Sequence, residues 1–423
     1  MMFYFFLLTE LLSIFFYMKG GILGIIFFLI NCLFVILCKQ SLPYKTMLFL
    51  IASLPFSFIG IGGMEMPHIL SWYNVFLVVF IILNFRNFRL SNSALVAVLV
   101  IFVCLMIASL WAIDLAKAWV EITQILVMLV PTVVVFCSRK KFPLNGHEIN
   151  QLFTVYAHVA FCTAVGMIIQ YYFVYFRGAD MGMLNIAGGG RISCNALFRG
   201  ASILPIYMGS GLVVLFMKSF FKKSYIEYLE IVVIFSAMIL NTSRTGVFAL
   251  FCVIGYIMFI RLTRSFSIKT ILLFIALAVL AYYGLEYLMS TRSNLGSFTE
   301  DNGREETYIN GINIWLHSSR NFFFGEGFTG GMWDGITKTH NFVIQTLAQN
   351  GIIVASIVFI LILKFVKSTQ KSPLKYVIWF ILLSCLLVTD IYANAFTSVA
   401  FILVSLHSCR LCNDYSIKYS KLI

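Results

Sequence analysis

Apolar residues run in long blocks along this chain, and polar residues collect in short stretches between them. The blocks show no two-residue alternation, so they read as helices and not as strands. They fall at about 3–17, 22–38, 46–63, 70–84, 93–111, 118–137, 149–176, 201–217, 226–242, 246–260, 270–288, 341–363, 376–389 and 392–408. Several are shorter than the roughly 20 residues that a straight membrane-crossing helix needs, so the pattern predicts about 12–14 spans. The stretch 226–260 is compatible with one long tilted helix or with two short ones. Two helices meeting at Asn241-Thr242-Ser243-Arg244-Thr245-Gly246 keep Arg261, Arg264 and Lys269 on the face where basic residues normally gather, and two are expected.

Composition says what solvent these helices face. The chain is 61% hydrophobic and only 11% charged, against roughly 25% charged residues in soluble domains. No water-soluble fold hides that much apolar surface. In lipid every backbone amide and carbonyl must be paired internally, which leaves helices for runs of this kind. The expected fold class is an all-α polytopic membrane protein, with 1–423 forming a single integral membrane domain. The N-terminus has no basic region before its first apolar run, so no cleaved signal peptide is expected. The ten cysteines are scattered, with Cys194 alone in its loop, and outline no disulfide framework.

The net charge of +13 does not indicate nucleic acid, because the basic residues sit in short loops between apolar runs. Alternate loops carry Lys39 and Lys45, Arg86 and Arg89, Arg139 to Lys141, Lys218 to Lys223, Arg261 to Lys269, Lys364 to Lys375, and Arg410 to Lys421. These loops, and both termini, are expected on the cytoplasmic side. The opposite face then holds Lys19, Lys117, Arg177, Arg191, Arg199, Arg244, Arg292, Arg304, Arg320 and Lys338.

Two loops on that opposite face are long. The first, 177–200, is rich in Gly and carries Arg191 and Arg199. The second, 289–340, holds the densest group of acids, six of the 17. Within it, Arg304 to Trp315 and His317 read as an amphipathic helix on the membrane surface, with Tyr308, Ile312 and Trp315 on one face. Phe322 to Phe328 reads as an interfacial or re-entrant turn. Arginine on this face works against topology. Local acids (Glu300, Asp301, Glu305, Glu306) offer partners to Arg292, Arg304 and Arg320. Arg191 and Arg244 have only apolar or neutral neighbours in sequence, and a guanidinium among apolar helices points to an anion such as a phosphate, which it grips bidentately. His340 ends the second loop and opens the span Asn341 to Leu363. Either it is an interfacial polar residue, or it is a general base, which an unperturbed imidazole suits at neutral pH. Thr339 or Asn341 is positioned to cap the helix, whose N-terminus favours anions nearby. The chain has no Asp-x-Asp motif in a cytoplasmic loop, no P-loop, no His-Glu-x-x-His and no Gly-x-Ser-x-Gly. Gly188-Gly189-Gly190 and Gly325-x-Gly327 read as turns first and phosphate cradles second.

Taken in order, these residues resemble the O-antigen polymerase and O-antigen ligase superfamily. Thr242-Ser243-Arg244-Thr245-Gly246 through Ala249-Leu250 is similar to the Ser-Arg helix start of that family. His340-Asn341, nine residues and then Gly351 resembles its signature at the end of the large periplasmic loop. Gly190-Arg191-Ile192-Ser193 with Asn195 resembles its Arg-containing motif in an earlier loop, and Arg304 to Gly327 resembles the segment from an Arg to a Gly-x-Gly. The likeness covers roughly 185–365. It implies a GT-C-like fold in the bacterial inner membrane with two long periplasmic loops, and inverting glycosyl transfer that uses neither metal nor cofactor. By position, Arg191, Arg244 and Arg304 would bind the diphosphate of an undecaprenyl-diphosphate-linked oligosaccharide, and His340 would take the proton from the acceptor hydroxyl. Ser243, Asn341 and Arg199 would support them. A chain-length-regulating membrane protein is the implied partner.

Two activities share this chemistry. A polymerase joins repeat units, and a ligase moves the glycan to lipid A-core. Gly351 is followed by Ile-Ile-Val354, where the ligase pattern prefers Gly, Thr or Tyr in the last place. The Arg191 loop lacks the Asn-Pro-Asn of many relatives. The first departure favours polymerase, and the second bears on the role of Arg191. A lipid-linked sugar transporter or flippase, of another class, would show paired repeats and broken helices with polar groups at mid-bilayer.

Overall fold

The computed structural model describes residues 2–62, 70–187, 191–200, 202–219, 225–241, 244–264, 304–328, 339–386 and 394–418, with isolated helical positions between 271 and 286. Most of the expected span 270–288, much of the loop 289–340, Arg292, Ser243 and Gly188 to Gly190 lie outside the described residues, as do the side chains of Arg191, Arg244 and Arg304.

The described chain is helical apart from one small hairpin. Fifteen α-helices occur among the described residues. They are α1 Met2–Met18, α2 Ile22–Leu37, α3 Leu42–Ala52, α4 Trp72–Asn84, α5 Asn92–Ser109, α6 Leu115–Ser138, α7 Gly146–Arg177, α8 Ile203–Ser219, α9 Tyr225–Leu240, α10 Arg244–Arg264, α11 Arg304–Leu316, α12 Ser319–Phe324, α13 Phe342–Thr369, α14 Lys375–Cys385 and α15 Ala395–Lys418. Four of them, α5, α6, α7 and α13, are long and apolar enough to cross a membrane.

Their limits follow from local chemistry. Ser91 starts α5 by accepting from Ala94 N, and Asp114 starts α6 by accepting from Lys117 N, each satisfying a free amide of the first turn. The stretch 226–260 is two helices, α9 and α10, with Thr242 and Ser243 outside the described residues. The expected span 46–63 is not one helix. α3 stops at Ala52 and a single 3-10 turn, Leu54–Phe56, follows. Pro55 has no amide hydrogen and its ring collides with the carbonyl a turn earlier, so the helix cannot continue.

The hairpin pairs β1, Leu184–Ala187, with β2, Arg191–Cys194, antiparallel, with Ala187 opposite Arg191 and Leu184 opposite Cys194. It lies inside the loop expected at 177–200 and was not legible there. Four-residue strands are too short for alternation to show.

The chain forms two compact units that interleave in sequence. The first contains 1–40, 47–76 and 152–300, and the second 41–46, 77–151 and 301–423. In the first, α1 packs on α2, and α8 packs on α9 and α10. Gly211 lets α8 approach α7 closely, since a Cβ there would lie 2.6 Å from Ala160 Cβ. In the second, α5, α6, α13 and α15 pack together, while α11 and α12 lie against α13.

Candidate functional site

Arg191 and Arg244 belong to the first unit, and the structure ties their segments together. Asn241, in the turn that ends α9, donates through Nδ2 to Cys194 O (2.7 Å) and Asn195 Oδ1 (3.0 Å). Ser193 Oγ donates in return to Asn241 O (2.9 Å). Ser193, Asn195 and Asn241 are at most 1% exposed, so these bonds form where water does not compete. Gln170 of α7 anchors the other side of the loop. Its Nε2 donates to Met181 O (2.5 Å) and Met183 O (3.0 Å), and its Oε1 accepts from Ala196 N (2.7 Å). Arg191 is thus two residues from a locked Ser193, and Arg244 three from a locked Asn241. Gly246 completes the joint. Pro205 of α8 stands so close that a Cβ on Gly246 would sit 2.7 Å from its Cβ. Arg199 is exposed in the bend that follows the hairpin. Cys194 is 1% exposed, and burial pushes its thiol up to about 12.

His340, Asn341 and Arg304 belong to the second unit. His340 is exposed and has a backbone φ of 51°, in the left-handed region that few side chains other than Gly, Asn, Asp and His occupy. Its neighbours hold it there. Asn341 caps α13, its Oδ1 accepting from Val343 N (2.9 Å) and Ile344 N (3.2 Å). Thr339 does not cap. It is buried and donates through both N and Oγ1 to Gln345 Oε1 (2.9 Å each). α11, which opens with Arg304, presses on the same turn: a Cβ on Gly311 would meet Thr339 Cγ2 at 2.6 Å and Ile344 Cγ2 at 2.7 Å. Gly311 and Ile314 are buried against that turn, whereas Ile312, on the face expected toward the membrane surface, is exposed.

The span after His340 is not continuous either. α13 breaks at Gly351, whose φ of 71° and ψ of 177° are not helical. The nine residues from Phe342 to Asn350 are a half-helix. Its final carbonyls lose their intrahelical donors and take new ones from the Gly325-Glu326-Gly327 segment. Glu326 N donates to Ala348 O (2.9 Å) and Gly327 N to Gln349 O (3.0 Å). A Cβ on Gly325 would lie 2.3 Å from Gln349 O, and one on Gly351 2.3 Å from Phe323 O. Phe322 to Phe328 is therefore the last turn of α12 followed by a clasp on the broken helix, more specific than a simple turn.

Buried polar side chains surround the break. Gln345, Thr346, Gln349 and Asn350 are all buried, as are Asn321 and Glu326. Glu326 Oε2 accepts from Asn321 Nδ2 (2.7 Å) and Arg320 Nη2 (2.8 Å), and the Arg320 guanidinium lies 4.5 Å over the Trp111 ring. Arg320 thus pairs with Glu326; of the acids expected from sequence, Glu300 and Asp301 lie outside the described residues. Gln345 Nε2 is buried with no hydrogen-bond partner among the described residues.

Two further polar pairs, inside apolar helices of the first unit, were missed. His158 Nδ1 of α7 lies 2.6 Å from Glu230 Oε1 of α9. Asn31 of α2 donates to Glu10 of α1, which is wholly buried. A single polar residue in an apolar run carries no signal of its partner.

No protein-family model and no curated protein sequence matches this chain.

Proposed function

We propose that the chain is a membrane-embedded glycosyltransferase, an O-antigen or related surface-polysaccharide polymerase that joins undecaprenyl-diphosphate-linked repeat units at the periplasmic face. The observation that carries the reading is the hydrogen-bond lock of Ser193 and Asn195 on Asn241. The two segments that resemble the family's arginine motifs are far apart in sequence, yet one buried network holds them. That is what a diphosphate clamp needs, since guanidinium forks act only where their backbone is fixed. The nine-residue interval between Asn341 and Gly351 adds support, because it has a physical meaning as the length of a half-helix.

In the proposed reaction the acceptor hydroxyl attacks the anomeric carbon with inversion, and its proton passes to His340. The diphosphate leaves with its charge met by Arg191 and Arg244, with Arg304 a third candidate. Preorganised positive charge aimed at a leaving anion is commonly the largest catalytic term. The membrane reading is supported by the four long apolar helices and by apolar side chains left exposed on them, such as Leu99 and Leu363, which lipid would cover.

The test is a gel of surface polysaccharide from a deletion strain. Lipid A-core carrying one repeat indicates a lost polymerase. Unsubstituted core with accumulated lipid-linked polymer would assign the ligase reaction instead. Intact long chains would reject both.

A further inference from the structure

A cavity of about 350 Å³ opens within the second unit between α5, α6, α13 and α15. It is far from His340 along α13, bordering the segment from Ile357 to Phe365. Its walls are almost wholly apolar, with Met128, Phe136 and Phe401 among them. From Phe136 back to Met128, and from Phe365 back to Ile357, each wall runs eight residues, about 12 Å of helix rise. The cavity is thus a slot lying along the helices.

Its two ends differ. At one end stand Lys364 and, at the N-terminus of α5, Ser91 and Ser93. A helix N-terminus favours an anion, and an ammonium beside it adds a full charge. No acid is among the described residues that line the cavity. Arg89 and Arg139 flank the same helix ends, which are joined where Arg89 N donates to Ser138 Oγ (2.6 Å). Deeper in, Thr397 lines the slot. It is 4% exposed, and its Oγ1 has no hydrogen-bond partner among the described residues. A buried hydroxyl without a partner calls for an acceptor brought by something else.

We propose that this slot seats one acyl chain of an anionic phospholipid, with the phosphate at Lys364 and Ser93 and an ester carbonyl able to meet Thr397. The site rests on the reading of the chain as membrane-spanning, and it is separate from the proposed reaction. The basic rim lies on the face where Lys and Arg gather, and the anionic lipids of the cytoplasmic leaflet are attracted to such clusters. A slot about 12 Å deep suits one acyl chain rather than a long polyisoprenyl tail.

The experiment uses the full chain reconstituted in vesicles of phosphatidylcholine and phosphatidylglycerol, with a spin label near the end of the acyl chain of one lipid or the other. The expected result is a motionally restricted fraction about twofold larger for the phosphatidylglycerol probe, displaced by unlabelled phosphatidylglycerol. Lys364→Gln, an exposed position, is expected to abolish that preference, and Ala97→Trp, which fills the slot, to abolish it as well, leaving only the restriction that lipid on the outer helix faces gives both probes equally. Equal restriction of the two probes in the unmodified chain would overturn the proposal, as would an unchanged spectrum in the Ala97→Trp protein. Displacement by undecaprenyl phosphate but not by phosphatidylglycerol would overturn it by giving the slot to the carrier lipid. Flotation separates the premises. A chain that does not float with the vesicles overturns the membrane reading together with the site, whereas floating without lipid preference overturns the site alone.

Discussion

His340 occupies a backbone conformation that costs most residues roughly 1–2 kcal/mol, and its fixed neighbours hold it there. That strain at a candidate base is itself a pointer to function, and it complicates the obvious mutant. His340→Ala is expected to insert but to make no long glycan chains. His340→Asn and His340→Gly tolerate the positive φ, so they keep the turn and lose only the imidazole. All three are expected to be equally inactive on a polysaccharide gel. Normal chain lengths from the Asn or Gly variant would show that the turn, and not a base, is what matters. For Arg244, replacement by Lys is expected to cut polymerisation at least about tenfold, because a point charge does not reproduce the bidentate fork. Full activity of that variant would make the residue topological. Cys194 offers a check on the lock around Asn241. Only the thiolate reacts, and a thiol pushed up to about 12 stays protonated from pH 7 to 9. Maleimide labelling of the native protein is expected to stay at least about tenfold slower than after denaturation across that range. Fast labelling at pH 7 would mean that the loop opens.

At the scale of elements, the clasp on the broken helix is the feature most sensitive to one atom. Gly351→Ala would force a Cβ to within 2.3 Å of Phe323 O at a φ of 71°. Strain of about 1–3 kcal/mol from the backbone adds to the displacement of the clasp. A marked fall in Tm, or loss of the folded protein from membranes, is expected, and a Tm within a degree of the original would contradict the clasp. Helix starts and most helix bodies were legible in the sequence, because apolar runs and caps are local. Two interruptions were not read. Pro55 is a local breaker that stood in an apolar run and was passed over. Gly351 is different: glycine alone does not break a helix. The break is stable because Glu326 and Gly327 supply amides to the freed carbonyls, and those residues come from another element. The packing side of α11 was not legible either, because it is set by Thr339 and Ile344 coming in over Gly311, residues of another element.

For the whole molecule, the proposed topology makes a direct prediction. A reporter active only in the cytoplasm is expected to be active when fused after Lys371 and inactive when fused after Arg199. The reverse pattern would invert the proposed faces and place Arg191, Arg244 and His340 on the cytoplasmic side. The two compact units draw on alternating segments of chain, an arrangement that hydropathy cannot reveal, since lipid-facing and partner-facing apolar residues look alike.

By itself the sequence determined that the chain is helical and carries helices long and apolar enough to cross a membrane, because those properties sum over local runs. It also singled out Arg191, Arg244, Arg304 and His340 as chemically unusual for where they stand. The tertiary structure decided which of the candidate segments are joined. It locked the loop of Arg191 to the turn before Arg244 through Asn241, left Thr339 to orient Gln345 while Asn341 capped the helix, and broke the span after His340 at Gly351. The lock at Asn241 and the break at Gly351 depend on hydrogen bonds between residues distant in sequence. Whether a buried donor finds its acceptor is settled only when the elements pack.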